Sequence, residues 1–522
     1  MRGPEARSPV RHKVPERSGE VLIDPPLDRI PSLLAAARDT GWGGANVLGM
    51  PLGEFRRRAQ RRALDLAGIP AGAGRQQGMP WIVMGHQPLF FHPGVWMKYF
   101  LLTRLCADPD VTGLHLVVDS DAPGSVSAPI PAREDRFVRR TETLLVLAGA
   151  VPLESHRPPT AEQWQGFCER VRAHLATLAV PGISARFEAF AAEAEPALHN
   201  SVTLATFLAR MRRRYEARAA VPRYLEVAVS SLAETEEFRR FALHLLQTPQ
   251  ELLRRYNANL DRYRGAHRLR SPANPFPNLG QADGYQETPF WIVHEGRRGD
   301  LYAAREGDRV RLRAAQGPII DVPAGVRGVD VLASAGVAIR PKAIMLTMFA
   351  RLCVGDLFIH GVGGGSYDRV TDALASELFG CTPCPYVVAT ATLYLPLLGE
   401  GEREEGRALE RRLMELRHNP ERYLDTSTDA VRRLVDEKWG LIRAVQTMRP
   451  GKERRAATHR IRELNVRLAD GLVPEIAGLR ARLAAADQAS AVRDAVEYRG
   501  YPFFLFDPAA VAALAGIVSR SA

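Results

Sequence analysis

Cysteine is scarce in this 522-residue chain, which has five: Cys106, Cys168, Cys353, Cys381 and Cys384. An odd, sparse set in so long a chain excludes a disulfide-stapled scaffold and points to a reducing compartment. Long apolar runs are also missing, and none reaches the ~20 residues that span a bilayer. The Arg- and Pro-rich stretch from Met1 to Glu20 has no apolar core of the kind a secretory signal needs. The expectation is a cytoplasmic protein with no membrane partner. Helix-turn-helix, zinc-finger and RNA-binding signatures are absent, so nucleic acid is not an expected partner either.

What is present is ordinary for a globular protein: 46% hydrophobic and 25% charged residues. The length exceeds what one compact core fills, which predicts about two to four structural units. The 70 Lys and Arg against 59 Asp and Glu give a net charge of +11. Because the basic residues are interspersed with acidic ones, the charge reads mainly as composition, and it leaves a small anion, phosphate or carboxylate, as the partner class.

The most informative stretch runs from Trp81 to Phe100. Trp81-Ile82-Val83-Met84 is an apolar, β-prone run, interrupted by Gly85, and a loop with His86, Gln87 and His92 follows. Pro93 suits the first turn of a helix, where its missing N–H costs nothing, and apolar residues then recur at helical spacing. Strand, turn, loop and helix in that order form the opening unit of an α/β sheet, in which ligands sit beyond the carboxyl ends of the strands. Leu114–Val118 reads as a second buried strand ending in Asp119-Ser120-Asp121. Those acids suit a ribose, a metal or an amine, and equally suit capping the next turn.

Residues 1–25 read as a disordered tail and 26–402 as the α/β core, with Ala71-Gly72-Ala73-Gly74 as a flexible connector. The core carries a helical insertion at about 155–220 and a β-rich one at about 285–325, and Tyr224–Val229 returns as a strand. After Arg340-Pro341 a helix is expected, then the strand Leu357–His360 and the loop Gly361-Val362-Gly363-Gly364-Gly365-Ser366-Tyr367-Asp368. Glycines between a strand and a helix let backbone N–H groups converge on an anion, although these match neither the Walker pattern nor GxGxxG. Cys381-Thr382-Pro383-Cys384 has CxxC spacing but no second pair and no placement at a helix start, so it reads as structural and no metal site is expected.

Residues 403–495 change character, becoming charged and helical. Val431, Leu434, Val435, Trp439, Ile442 and Val445 form one apolar stripe; Ile461, Leu464, Leu468, Leu472, Ile476, Leu479 and Leu483 form another. With the turn Arg449-Pro450-Gly451-Lys452 between them, an antiparallel helical hairpin or coiled coil is predicted, kinked at Pro474. Its stripes are expected to hold a homodimer together. The segment 496–522, with Tyr498–Phe506 strongly apolar, is expected to dock on the body.

On three segments the chain resembles the bacillithiol biosynthesis cysteine-adding enzymes, or cysteine ligases. Gly85-His86-Gln87-Pro88 with Pro93-Gly94 and Lys98 resembles that family's glycine-Gln-Gln loop and the helix behind it. Val117–Asp121 falls where the family has a strand ending in an acidic-histidine run, and Arg340-Pro341 with Gly361–Gly364 resembles its later segment. His86 stands in place of a glutamine, and the acidic-histidine run is reduced to Asp119-Ser120-Asp121. The resemblance implies a Rossmann-like parallel-sheet core, a coiled-coil arm, a dimer, and a reaction joining cysteine to a sugar-acid acceptor, with ATP or ADP as a nucleotide ligand. On that basis His86, His92, Asp119 and Asp121 are the candidate catalytic residues, the histidines as imidazolium groups stabilising phosphate or a leaving group. Gly85, Gln87, Arg340, His360, Gly363, Gly364, Gly365 and Tyr367 are the candidate binding residues.

Two alternatives compete. His92-Pro93-Gly94 is similar to a nucleotidylyl-transferase motif, with Val95 where its second histidine belongs. A non-catalytic assembly protein would instead use the helical arm. The sharpest expectation is that the His86 and Gly363 loops line one pocket, together with Asp119 and Arg340, because parallel strands all end on one edge of the sheet.

Overall fold

A computed structural model describes residues 12–38, 42–70, 78–269, 271, 273–314, 317–397, 400–448, 451–487 and 494–517. The connector Ala71–Gly74, residues 1–11 of the tail, Arg449 and Pro450 of the hairpin turn, and the side chain of Leu483 lie outside the described residues.

The fold is mixed α/β. Its central sheet has five parallel strands, Trp81–His86, Thr112–Val117, Leu225–Ala228, Leu357–His360 and Tyr386–Ala391. In spatial order they run Leu225, Thr112, Trp81, Leu357, Tyr386, so the direction of winding reverses between the Trp81 and Leu357 strands. Side chains alternate between two cores. Ile82, Met84, Leu357 and Ile359 enter one, while Trp81, Val83, Leu114 and Leu116 enter the other. This two-sided burial is why these strands are continuous apolar runs rather than alternating ones. Gly85 does not end its strand, which continues through His86.

Several segments depart from the expectations. Val21–Asp24, expected within a disordered tail, pairs antiparallel with Tyr386–Ala391 and closes that edge of the sheet. An unanticipated hairpin, Ser125–Arg133 with Phe137–Val146, precedes the helices Ala161–Leu175, Ile183–Ala191, Ala194–His199 and Leu204–Glu216. The β-rich insertion is an antiparallel sheet of Tyr285–His294, Arg297–Glu306, Arg309–Ala314 and Ile319–Pro323, and it also takes in Ala338–Pro341.

The C-terminal region begins with four helices, Glu400–His418, Asp429–Thr447, Lys452–Ala469 and Val473–Asp487. The middle two pack on each other, tied by Arg460 to Glu437 at 2.7 Å; the outer two are tied by Arg412 to Glu475 at 3.0 Å. A 3₁₀ turn at Asp470–Leu472 interrupts the returning arm, so Pro474 sits in the first turn of a new helix instead of kinking a continuous one. The chain then returns to the body. Phe503 and Phe504 are buried against Trp96 and Phe190, and Pro508–Leu514 packs on the helix Pro93–Leu105.

Candidate functional site

The point where a parallel sheet changes winding direction opens a crevice at the carboxyl ends of the two strands that flank it, because their connections leave to opposite faces. Here that crevice is a cavity of about 900 Å³. His86 ends one flanking strand and His360 the other, and both line it, with Gln87, His92, Asp121, Gly363, Gly364 and Tyr367.

The glycine cluster is not a loop. The helix Val362–Phe379 starts at once after Gly361, so the glycines form its first turn. Their reason is close packing. A Cβ on Gly364 would stand 2.5 Å from His360 Nδ1, and one on Gly365 2.3 Å from Val388 Cγ2. Only glycine lets this helix seat its N-terminus against the strand ends. Gly365 thus packs on the sheet, and its N–H is taken by Gly361 O at 2.9 Å. The amides of Val362, Gly363 and Gly364 precede the first intrahelical bond and face the crevice's end of the helix.

His86 and His92 are both held well below the usual imidazole value, which runs against the imidazolium role expected of them. Burial, and after it the charge of Lys98, pulls His86 down to about 3. Burial, then Arg499 and Lys98, does the same to His92, also to about 3. Their tautomers differ. His86 Nδ1 lies 2.9 Å from Gln87 O, and a carbonyl only accepts, so Nδ1 carries the proton and Nε2 is an acceptor. His92 Nδ1 accepts from Gly94 N at 3.0 Å as the cap of the helix Pro93–Leu105, which leaves the proton on Nε2. His360 is held by Asp368 through its Nε2 at 2.7 Å; burial raises Asp368, but His360 and Arg351 outweigh it and hold the carboxyl at about 2.

Two expected members are elsewhere. Asp119 is 3% exposed and does not line the cavity. Its carboxylate takes the Ser230 N–H at 2.9 Å and the Ser230 hydroxyl, so it fastens the end of one core strand to the helix after the next. Burial lifts its carboxyl to about 6. Arg340, 5% exposed, is consumed by carboxylates: Nε and Nη2 meet Glu154 at 2.9–3.1 Å and Nη1 meets Glu234 at 2.7 Å. It pins the inserted sheet to the core. Of the two acids in the run only Asp121 reaches the cavity, beside Ser120, and it is bonded by Gln87 Nε2 at 3.3 Å and Arg298 at 3.2 Å.

Sequence reasoning gives no place in the site to Lys98, named there only for the family likeness, nor to Arg499 or the far wall. Lys98 is the one cation in the apolar run Val95–Leu102, which was the available signal: the helix is buried nearly all round. Arg499 arrives from the C-terminal segment and bonds Thr390 Oγ1 at 2.6 Å, Thr392 Oγ1 at 2.9 Å and Ala391 O at 2.8 Å. A Cβ on Gly94 would lie 2.5 Å from its Nη2, so Gly94 makes room for it. At the other end Trp291 carries Arg298 and Lys342 each 4.3 Å from its ring centroid, and Lys342 bridges Glu287 at 2.7 Å and Asp300 at 2.8 Å. The cavity therefore has one end with cations and no carboxylates, and another where both signs alternate around an aromatic ring.

Compared with models of protein families and with curated proteins, the chain matches none. No described helix is long and apolar enough to cross a membrane.

Proposed function

We propose that this cavity is the active site of an enzyme of the cysteine-ligase type, joining an amine to a small anionic acceptor within a Rossmann-like core. The observation that carries the reading is the meeting of His86 with the first turn of the Val362 helix in one cavity where the sheet reverses. His86, protonated on Nδ1, offers Nε2 as a hydrogen-bond acceptor that orients the N–H of an attacking amine. The His92 Nε2–H and the amides of Val362–Gly364 suit an anion on the acceptor. Asp121, beside Gln87 at the other side, suits the ammonium form of the incoming amine.

A thermal-shift screen with cysteine, sugar-acid conjugates, ATP and ADP tests this, since a ligand that binds only the folded state raises its stability. Mass spectrometry on mixtures of the positive ligands then reads the product. His86→Ala is expected to lower turnover at least tenfold while the stabilising ligands still bind. The reading fails if no amine and acceptor give an amide with ATP present to carry off the acceptor's oxygen as phosphate or adenylate, or if His86→Ala turns over normally.

We also read the C-terminal helices as a coiled-coil arm that pairs with a second copy. Trp439 and Val466, on the two middle helices, are 41% and 66% exposed, and a second copy packed along this pair would cover them. Full-length protein sedimenting as a monomer at micromolar concentration would overturn this.

A further inference from the structure

We propose that the carboxylate-free end of the cavity, around Lys98 and Arg499, is a subsite for a doubly charged phosphoryl group. The proposal rests on the cavity being the active site and assigns the charge and shape of what the acceptor or a co-substrate brings to it.

Lys98 departs from the pattern of the other buried cations among the described residues. Arg56, Arg212, Arg340, Arg351 and Lys438 are all buried, and each has a carboxylate oxygen within 3.0 Å. Arg240, also buried, is satisfied by the carbonyls of Val47 and Leu48. Lys98 is 4% exposed, yet among the described residues no hydrogen bond or ion pair holds its ammonium. An ammonium taken out of water without a counter-charge is among the least favourable groups to bury. Lys98 lines the cavity.

The surroundings are of one sign. A Cβ on Gly361, the residue capping the Val362 helix, would be 3.7 Å from Lys98 Nζ, so the ammonium lies against the positive end of that helix. Gly94 and Lys98 are four residues apart on one helix face, and Arg499 is packed onto Gly94. Arg499 spends its bonds on two hydroxyls and a carbonyl, so its charge is unneutralised among the described residues. His92 lies near both cations and brings an N–H donor. Two full positive charges, a helix terminus and no carboxylate match the charge of a phosphate monoester better than that of a single carboxylate. Burial alone holds the Lys98 ammonium down to about 8, a state that a bound anion would reverse.

Isothermal titration of the full-length protein with inorganic phosphate, adenosine monophosphate, a hexose phosphate and malonate tests the subsite. Phosphate and at least one monoester are expected to bind, with malonate at least tenfold weaker. Lys98→Met should lower phosphate affinity at least tenfold, and Lys98→Arg should recover part of it. Thermal unfolding guards against a folding artefact: without anion Lys98→Met should melt no lower than the wild type, and added phosphate should no longer raise its melting temperature. Equal phosphate binding by the wild type and Lys98→Met, no phosphate binding at millimolar concentration, or tighter binding of malonate would each overturn the proposal. Lys98-dependent phosphate binding in a protein that joins no amine would sink the reaction assigned above and leave the subsite standing. Amide formation without such binding would do the reverse.

Discussion

Two buried cations, Arg340 and Lys98, are 5% and 4% exposed, and they could hardly be used more differently. Arg340 is closed on both sides by Glu154 and Glu234 and joins an inserted sheet to the core. Among the described residues Lys98 meets no carboxylate, and it lines the crevice where the sheet reverses. Burial by itself therefore does not mark a structural or a functional charge; the presence of a counter-charge does. A paired ion has already spent its field on its partner, whereas an unpaired one keeps it for a ligand.

The contrast can be broken most forcefully at Arg340. Arg340→Ala strands Glu154 beside Asp119 without a counter-ion and should destabilise the fold by about 3–5 kcal/mol, read by urea denaturation. Phosphate affinity of the folded fraction should stay within twofold of the wild type, and a large loss of affinity at unchanged stability would reverse the roles assigned to the two cations.

Lys98→Met should act in the opposite direction, adding about 1–3 kcal/mol to the unliganded protein. The wild-type pH profile carries the same information. Lys98 ionises at about 8 in the folded chain against 10.5 for the free group. Between those values the unfolded chain holds the proton that the folded one has lost, so stability contributed by this group rises with pH through that window. Anion affinity should fall about tenfold per pH unit above 8 for the same reason. Both trends should vanish in Lys98→Met. The two histidines act in the same direction at lower pH: held neutral down to about 3, they make stability fall as pH drops below 6.5.

The smallest effects separate neighbouring glycines. Gly364→Ala meets His360 Nδ1 at 2.5 Å and should cost about 1–3 kcal/mol while weakening anion binding. Gly363→Ala meets nothing within 4 Å and should leave stability unchanged or raise it by about 0.5–1 kcal/mol. Equal effects at the two positions would mean that the glycines serve the backbone's flexibility and not the fit of the helix against His360.

The parallel strands were legible because burial on both faces writes itself as an uninterrupted apolar run, as in Trp81–Met84 and Leu357–Ile359. Once those strands are placed parallel, the meeting of His86 with Gly363 needs no further information, since their ends share one edge. The partners of Arg340 were not legible, because Glu154 and Glu234 lie 186 and 106 residues away and nothing local announces them. Arg340-Pro341 looks the same whether its charge meets a ligand or a neighbour. The glycine run was read as a loop because glycine disfavours helix; the close approach to His360 and Val388 overrides that local preference. In the Ser125–Arg133 strand, Pro129 and Pro131 hide an alternation that burial reveals, a sequence tolerated because the hairpin stands apart from the main sheet.

Arg499 reaches back to Thr390 and Ala391 across the whole excursion of the four C-terminal helices. The two ends of that excursion are thus stitched together at the wall of the cavity, and one of the two cations at its carboxylate-free end comes from beyond it. A ribosome-bound chain that has already paired all five parallel strands still holds an unfinished pocket. On the subsite proposed above, the anion-binding end would be complete only once the four helices have been made and Arg499 has docked on Thr390 and Ala391.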